Sequence, residues 1–189
     1  MKRSNNIFNQ DHVCPWWLIS LFDNPLRRFF HNPEKMFKTY IYEGMTIFDI
    51  GCGMGYFTIG LAKLTGSKGK VIAIDLQQEM LNGVKLRAAR AGVSQQVHLQ
   101  QCNSDNLGIN KIGDFALTFW MAHEVPNIKH FMTQIFLNLK SEGKYLLVEP
   151  IIHVSKRKFH SMMDVAFHTG FKRVDHPSIS FSRSVLFEK

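Results

Sequence analysis

A glycine-rich loop directly after a short apolar segment is the feature that most limits how this chain can fold. Residues 49–55 read Asp-Ile-Gly-Cys-Gly-Met-Gly, and they follow the strand-like run 46–48. A second apolar run, 71–74, ends on Asp75. A strand that leads through such a loop into a helix brings bare backbone close to a ligand, and an acid that ends the next strand can accept hydrogen bonds from ribose hydroxyls. The pattern therefore predicts a site for an adenosine-containing cofactor.

The spacing of the glycines distinguishes between classes of cofactor. The nicotinamide fingerprint is G-x-G-x-x-G, in which the third glycine lets helix and strand pack closely beneath a pyrophosphate. Here the glycines are Gly51, Gly53 and Gly55, and Tyr56 stands where the third glycine is needed. This spacing argues against a dehydrogenase-like dinucleotide site.

The same segment resembles motif I of the class I S-adenosylmethionine-dependent methyltransferases, an acid followed by G-x-G-x-G. Asp49 matches the acid of that motif, and Asp75 falls where the family keeps its ribose-binding acid. With the later segments, the resemblance runs from about Met45 to the C-terminus. It implies methyl transfer as the reaction and S-adenosyl-L-methionine as the cofactor.

From Gly44 onward, apolar runs of strand length alternate with segments of helical periodicity. The predicted strands are 46–50, 71–74, 97–101, 115–119, 145–148, 171–174 and 184–187. The helix before the fifth strand is predicted to extend its apolar face to Leu139, and Gly143 is predicted in a turn. Repeated strand and helix units predict an α/β fold, a Rossmann-like doubly wound sheet. The resemblance implies seven strands, mostly parallel, with an antiparallel last strand.

A single domain is expected for residues 1–189, with the Rossmann-like core in 45–189 and an aromatic extension in 1–44. Within the extension, Asn32 and Pro33 are typical of the cap and first position of a short helix. In the family such an extension commonly covers the substrate. The resemblance therefore implies an N-terminal lid segment, with Trp16 and Trp17 at the substrate.

Charge and cysteine content limit the partners that the chain can have. A formal net charge of +8 makes nucleic acid conceivable, but the basic residues are scattered. The three cysteines form no C-x-x-C pair, so no disulfide framework or cysteine zinc site is predicted, and a cytoplasmic location is expected. No metal is expected, since no His, Asp or Cys pair has ligand spacing on a predicted helix. The longest uncharged apolar stretch, 13–22, is shorter than the about 20 residues of a membrane span.

The resemblance assigns cofactor contacts to the ends of the first four strands. After the third strand the family usually has Gly-Asp-Ala, whereas this chain has Cys-Asn-Ser, so the neutral Asn103 takes the adenine contact and Asp105 is the fallback. Asp49 either contacts the amino group of the cofactor or orders its own loop. The predicted cofactor-binding residues are Asp49, Gly51, Cys52, Gly53, Asp75, Leu76, Asn103, Ser104 and Trp120.

The segment after the fourth strand, 119–126, bears on the methyl acceptor. It lacks the Asp/Asn-Pro-Pro-aromatic string of adenine and cytosine amino methyltransferases, and the chain has no Pro-Cys or Thr-Cys nucleophile of base C5 methyltransferases. His123 and Glu124 are predicted as catalytic, pointing apart in an extended loop, with His123 as general base. The alternative is a loop histidine bonded to backbone. His123 and His153 are predicted on the substrate side.

The favoured interpretation is a methyltransferase for a small, partly aromatic or apolar molecule. Two alternatives stay open at this point. Methylation of RNA or protein is supported by the net charge of +8. A non-catalytic or dehydrogenase-like nucleotide binder is opposed by Tyr56. The acceptor atom and the oligomeric state are left open.

Overall fold

The computed structural model describes residues 27–189 of the chain. The predicted contacts of Trp16 and Trp17 and most of the predicted lid segment lie outside these residues. The helices are α1 (Arg27–Phe30), α2 (Pro33–Phe37), α3 (Tyr56–Thr65), α4 (Gln78–Arg90), α5 (Ile128–Asn138) and α6 (Lys156–Thr169). The strands are β1 (Thr46–Ile50), β2 (Lys70–Asp75), β3 (Val97–Gln101), β4 (Gly113–Phe119), β5 (Leu139–Pro150), β6 (Lys172–Asp175) and β7 (Ser182–Glu188).

The strands form one seven-stranded sheet in the order β3-β2-β1-β4-β5-β7-β6. The pairs from β3 to β5 are all parallel, and β7 lies antiparallel between β5 and β6. The predicted Rossmann-like sheet with an antiparallel last strand is confirmed. The strand order reverses between β1 and β4, and ligands of such sheets bind at that point, beyond the carboxyl ends of the strands.

Helices cover both faces of the sheet. On one face α5 and α6 pack onto alternate strand residues that include Phe48, Ile50 and Tyr145. On the other face α2 and α3 pack onto a second set that includes Ile47 and Leu146. Neighbouring strand residues point to opposite faces, so β1 contributes to both cores and is buried almost throughout. None of the helices described is both long and apolar enough to cross a membrane.

Polar caps begin two helices where the sequence predicts them. Asn32 Oδ1 accepts from the backbone N–H of Lys35 at 3.1 Å at the start of α2. Ser155 Oγ accepts from the backbone N–H of Lys158 at 3.2 Å at the start of α6. Each cap satisfies a donor that the first turn of a helix leaves unpaired. Because Ser155 follows closely after β5, α6 begins beside the carboxyl edge of the sheet.

The boundary between α5 and β5 differs from the prediction. The helix ends at Asn138, and Leu139 is the first residue of β5, where it pairs with Gly113 of β4. The predicted helix is therefore one residue too long. Leu139 is 1% exposed, so it satisfies the apolar pattern of the helix face although its backbone belongs to the sheet.

The predicted turn at Gly143 is also wrong, because this residue lies within β5. The strand is irregular there, since Glu142 has a φ angle of 64°, and the end of the chain pairs with it. The backbone N–H of Lys189 donates to the carbonyl of Gly143 at 3.0 Å, and that of Glu142 donates to the carbonyl of Lys189 at 3.3 Å. A contact between residues so far apart along the chain leaves no local signal, whereas a glycine followed by a strand is typical of a turn.

Candidate functional site

The glycine loop begins where β1 ends and folds over the end of β2. The backbone N–H groups of Gly51 and Cys52 both donate to the carbonyl of Ile74, at 2.8 and 3.1 Å. Gly51 and Gly53 have φ angles of 67° and 53°, in the left-handed region that glycine adopts without strain. A Cβ on Gly51 would lie 2.5 Å from Cγ of Met121. The loop therefore presents bare backbone at a point where the opposite wall leaves no room for a side chain.

Asp75, the last residue of β2, connects the glycine loop to the turn before α4. Its Oδ2 accepts from the backbone N–H of Gly53 at 2.9 Å, and its Oδ1 accepts from that of Gln77 at 3.0 Å. Burial raises the pKa of the Asp75 carboxyl above its ordinary value, and the bonds from Gln77 and Gly53 oppose that rise. A carboxylate has about four acceptor positions, so acceptor capacity remains for a ligand beside it.

Asp49 lies in β1 directly before the loop and is only 2% exposed. Its Oδ2 accepts a hydrogen bond of 2.6 Å from the hydroxyl of Thr58, which is buried in α3. The sequence left two roles open for Asp49, contact with the cofactor and ordering of its own loop. The bond to Thr58 shows that Asp49 anchors the helix that follows the loop.

A cavity of about 460 Å³ opens at the carboxyl ends of the parallel strands. Its volume is typical of sites for cofactors and small molecules, which span about 300–1,000 Å³. Every predicted site residue within the described range lines it: Asp49, Gly51, Cys52, Gly53, Asp75, Leu76, Asn103, Ser104, Trp120, His123, Glu124 and His153. Residues from separate strand ends, far apart in sequence, thus share one space.

Two cysteines and the loop after β3 form part of the cavity wall. Asn103 and Ser104 line the cavity, whereas Asp105, the fallback for the adenine contact, is exposed and is not in the lining. Burial raises the pKa of the Cys52 thiol well above its ordinary value and that of Cys102 to about 11, and nearby carboxylates add to both shifts. Both thiols are therefore protonated and weakly nucleophilic at neutral pH.

The loop after β4 starts at Trp120, which has a φ angle of 61°. This conformation is uncommon for a bulky side chain. Two hydrogen bonds hold it, from the backbone N–H to the carbonyl of Val148 at 2.8 Å and from the indole Nε1 to Ser182 Oγ at 2.9 Å. The next residues form a short 3₁₀ helix, Ala122–Glu124, inside the segment that was predicted as a loop.

The 3₁₀ helix changes the predicted relation between His123 and Glu124. In an extended loop their side chains would point apart, but here both line the cavity, and Nε2 of His123 lies 3.9 Å from Oε1 of Glu124. The ring of His123 also stacks parallel to that of His153, with ring centroids 6.2 Å apart. Among residues 27–189, no group of three or more His, Cys, Asp or Glu side chains is arranged to hold a metal ion.

A buried carboxylate, rather than the backbone, is the hydrogen-bond partner of the His123 ring. Nδ1 lies 2.5 Å from Oε2 of Glu149, which is the penultimate residue of β5 and is 0% exposed. The alternative of a loop histidine whose ring is bonded to the backbone is therefore wrong. With Nδ1 occupied, Nε2 is the nitrogen available to the cavity, and the arrangement can accept a proton from a bound molecule.

A family model described as a methyltransferase domain matches residues 41–176, well over half of the chain. The chain belongs to this methyltransferase family. The prediction of a methyltransferase is confirmed at the level of the family, and the fold agrees with the predicted class I S-adenosylmethionine-dependent type. The glycine loop, the acid at the end of β2 and the strand order are the features of this chain that agree with that class.

Curated relatives of this methyltransferase are named for quinone biosynthesis. The demethylmenaquinone methyltransferase of Lactobacillus johnsonii is 28% identical over 118 residues, covering 61% of this chain and 48% of the relative. The ubiquinone/menaquinone biosynthesis C-methyltransferase of Vibrio cholerae is 30% identical over 108 residues, covering 56% of this chain and 41% of the relative. The chain spans about half the length of the curated relatives that it matches.

Solved structures share the fold of this methyltransferase. A SAM-dependent methyltransferase from Aquifex aeolicus superimposes with a TM-score of 0.82 at 22% identity, covering 93% of this chain and 99% of that one. Aeropyrum pernix fibrillarin, solved with natively bound S-adenosyl-L-methionine, superimposes with a TM-score of 0.62 at 10% identity, covering 77% of this chain and 67% of that one. At these identities the likeness concerns the fold alone.

Among the residues of the site that sequence reasoning missed are Glu149, which bonds to His123, and Phe181, which lines the cavity. Glu149 carried a signal, because it is a charged residue directly after the apolar run 145–148. Phe181 carried no such signal in the sequence. It precedes β7, lines the cavity, and packs edge-on against Phe30 with ring centroids 5.3 Å apart. Its position depends on the antiparallel pairing of β7 with β5, which no local pattern near residue 181 reveals.

Proposed function

We propose that this methyltransferase transfers the methyl group of S-adenosyl-L-methionine to a small molecule that carries a hydroxyl on an aromatic ring. One observation carries the proposal. The predicted cofactor residues and the His123–Glu124 pair line the same cavity, whose remaining wall is largely apolar and aromatic. Such a cavity suits a ring whose polar group faces His123.

The cofactor half of the cavity is formed by the ends of β1, β2 and β3. Asp75 accepts the ribose hydroxyls with the capacity that its backbone bonds leave, and the 37% exposed Leu76 offers an apolar surface to adenine. Asn103 and Ser104 contact the far edge of the base, and the bare backbone at Gly51 and Gly53 admits the methionine part. The bound cofactor supplies an electrophilic methyl group on a sulfonium sulfur.

The acceptor half is formed by the loops after β4 and β5 and the loop before β7. Phe119, Trp120 and Phe181 contribute aromatic rings there, and Val125 and Ile152 contribute aliphatic surface. Aromatic and aliphatic walls with few polar groups are typical of sites for small hydrophobic ligands. Curated relatives at 28% and 30% identity are named for demethylmenaquinone and for ubiquinone and menaquinone biosynthesis, and these names support an aromatic acceptor with ring hydroxyls.

His123 acts as the general base in this proposal. It removes the proton of the acceptor hydroxyl, and an electron pair of the resulting phenolate, on the oxygen or on a conjugated ring carbon, forms the new bond to the methyl carbon. After attack through carbon, the hydrogen on that carbon leaves as a proton and the oxygen regains one, which restores the aromatic ring. The bond between that carbon and sulfur breaks, and its electrons stay on the sulfur of S-adenosylhomocysteine. Glu124, 3.9 Å from His123 Nε2, lies close enough to contact the same hydroxyl or to stabilise the protonated imidazole.

A ligand panel tests the choice of cofactor and of acceptor class. Thermal shifts with S-adenosylmethionine, S-adenosylhomocysteine, NAD and NADP should show stabilisation by the first two, about 2.7 kcal/mol at 100 times the dissociation constant. Isotope-labelled methyl transfer is then measured to reduced naphthoquinones, substituted phenols, simple thiols and RNA. Transfer to the hydroxylated rings is expected. Transfer to RNA alone, or stabilisation by NAD alone, would refute the proposal.

Substitution of His123 tests its role as base. His123→Ala should leave S-adenosylmethionine affinity unchanged and lower turnover roughly 10²–10⁴-fold, the usual contribution of positioned proton transfer. His130→Ala is a matched control, because His130 is exposed on α5 and does not line the cavity. Full turnover and an unchanged pH profile in His123→Ala would show that proximity alone drives the reaction.

A further inference from the structure

Glu149 is a buried carboxylate at a position where the strand is otherwise apolar. The three residues before it in β5, 146–148, are Leu, Leu and Val, and all four residues are 0% exposed. An ionised carboxylate is costly to bury unless it is paired. An apolar side chain would complete the core here as well as its neighbours do, so packing alone gives no reason for an acid.

One oxygen of this carboxylate is bonded and the other is not. Oε2 lies 2.5 Å from Nδ1 of His123, whereas Oε1 is buried and has no hydrogen-bond partner among the described residues. Within residues 27–189, the side-chain hydrogen bond of Glu149 is therefore directed at the ring that faces the cavity. A carboxylate that accepts from one ring nitrogen fixes which nitrogen carries the proton.

We infer that Glu149 is a positioning residue for His123. Its carboxylate holds the ring with the proton on Nδ1 and the lone pair on Nε2, and it stabilises the positive charge of the ring after Nε2 has taken a proton. The inference rests on the proposed role of His123 as base. It also narrows the substrate class, because this arrangement benefits only an acceptor that must lose a proton, such as a phenol or hydroquinone, and gives nothing to a thiolate.

Other groups around the imidazole hold the backbone of His123 or contribute to the electrostatic potential at its ring. Lys158 of α6 donates from Nζ to the carbonyl of His123 at 3.2 Å, so the backbone of the 3₁₀ helix is fixed as well as the ring. Glu124 and His153 face the ring from the cavity side. Arg183 of β7 is the register partner of Glu149, so its side chain starts on the same face of the sheet. Glu149 is the group among these that touches Nδ1.

Nitrogen-15 NMR of histidine-labelled protein tests the inference without an acceptor. With S-adenosylhomocysteine added, the neutral ring of His123 should show a protonated Nδ1 and a bare Nε2, assigned by comparison with His123→Ala. Glu149→Gln should mix or reverse this tautomer, because its amide can donate to Nδ1. A wild-type ring with its proton on Nε2 would overturn the inference.

Kinetics of the same variants separate this inference from the proposed function. Glu149→Gln should keep cofactor affinity and lose turnover roughly 10²–10⁴-fold, as when the orienting acid of a serine protease triad is made neutral. Glu149→Asp should recover part of it, and Glu142→Gln, an exposed site on the same strand, should stay at the wild-type rate. If Glu149→Gln is fully active while His123→Ala is inactive, the positioning role of Glu149 is refuted and the role of His123 as base stands. Full activity in His123→Ala would remove the base itself. If Glu149→Gln does not fold, the turnover of Glu149→Asp and the tautomer of His123 in the wild-type spectrum test the positioning role instead.

Discussion

Replacing Asp75 by alanine should weaken S-adenosylmethionine binding without unfolding the protein. Asp75 lines the cavity and has acceptor capacity beyond its bonds to Gly53 and Gln77. A hydrogen bond to a charged acceptor contributes roughly 1.5–3 kcal/mol, so the loss of the ribose contact should lower affinity about ten- to a hundredfold.

The same substitution has a smaller effect on folding. Two backbone donors lose their acceptor, each at about 1 kcal/mol, and for a domain of this size the melting temperature should fall by roughly 4–8 °C. Removal of the charge of Asp75 does not add to this loss at neutral pH. Burial raises its pKa in the folded state, so its contribution to stability is full below the pKa of the unfolded chain and is lost as pH rises through the folded-state pKa.

Isothermal titration calorimetry measures the affinity, and a thermal melt verifies that each variant is folded. Asp105→Ala is the matched control, since this exposed acid lies beyond β3 and outside the cavity lining. Asp75→Asn keeps the shape and one acceptor oxygen, so its affinity should lie between those of the wild type and Asp75→Ala. Wild-type affinity in a folded Asp75→Ala protein would refute the ribose assignment.

Three further measurements bear on the cofactor half of the site. Gly51→Ala should abolish cofactor binding because the new methyl group would displace Met121. Gly92→Ala is the control, with a similar φ of 69° and nothing within 4 Å of its Cβ, and it should lose only stability, about 1–2 kcal/mol. Equal cofactor binding in the two variants would contradict this. Cofactor affinity should fall as pH drops through the raised pKa of Asp75, since protonation removes acceptor capacity. Calorimetry at descending pH measures this affinity, and an affinity that does not change with pH would argue against a role for the carboxylate. Alkylation of Cys102 at pH 8, followed by mass spectrometry, should be slower than that of a free thiol by on the order of 100-fold, because burial raises its pKa to about 11; labelling at the rate of a free thiol would show that the loop after β3 opens.

The amino-acid sequence determined the elements and the cofactor end of the site because both depend on local requirements. Apolar periodicity marks strands and helices wherever they occur, and the caps Asn32 and Ser155 act within one turn. The left-handed backbone at Gly51 and Gly53 is likewise a property of the residues themselves. Since parallel strands end on one edge, the order of the motifs alone brings Asp75 beside the glycine loop.

The acceptor side of the cavity was decided by contacts between residues distant in the chain. The bond from His123 to Glu149 spans 26 positions and exists because β4 and β5 are neighbours in register. Phe181 reaches the cavity through the antiparallel pairing of β7. Leu139, predicted in a helix, pairs with β4 instead. Strand order and register are set by the packing of the whole sheet, so no local pattern encodes them. For that physical reason the sequence alone determined the class of fold and the cofactor loop, and only the tertiary structure decided which groups surround His123.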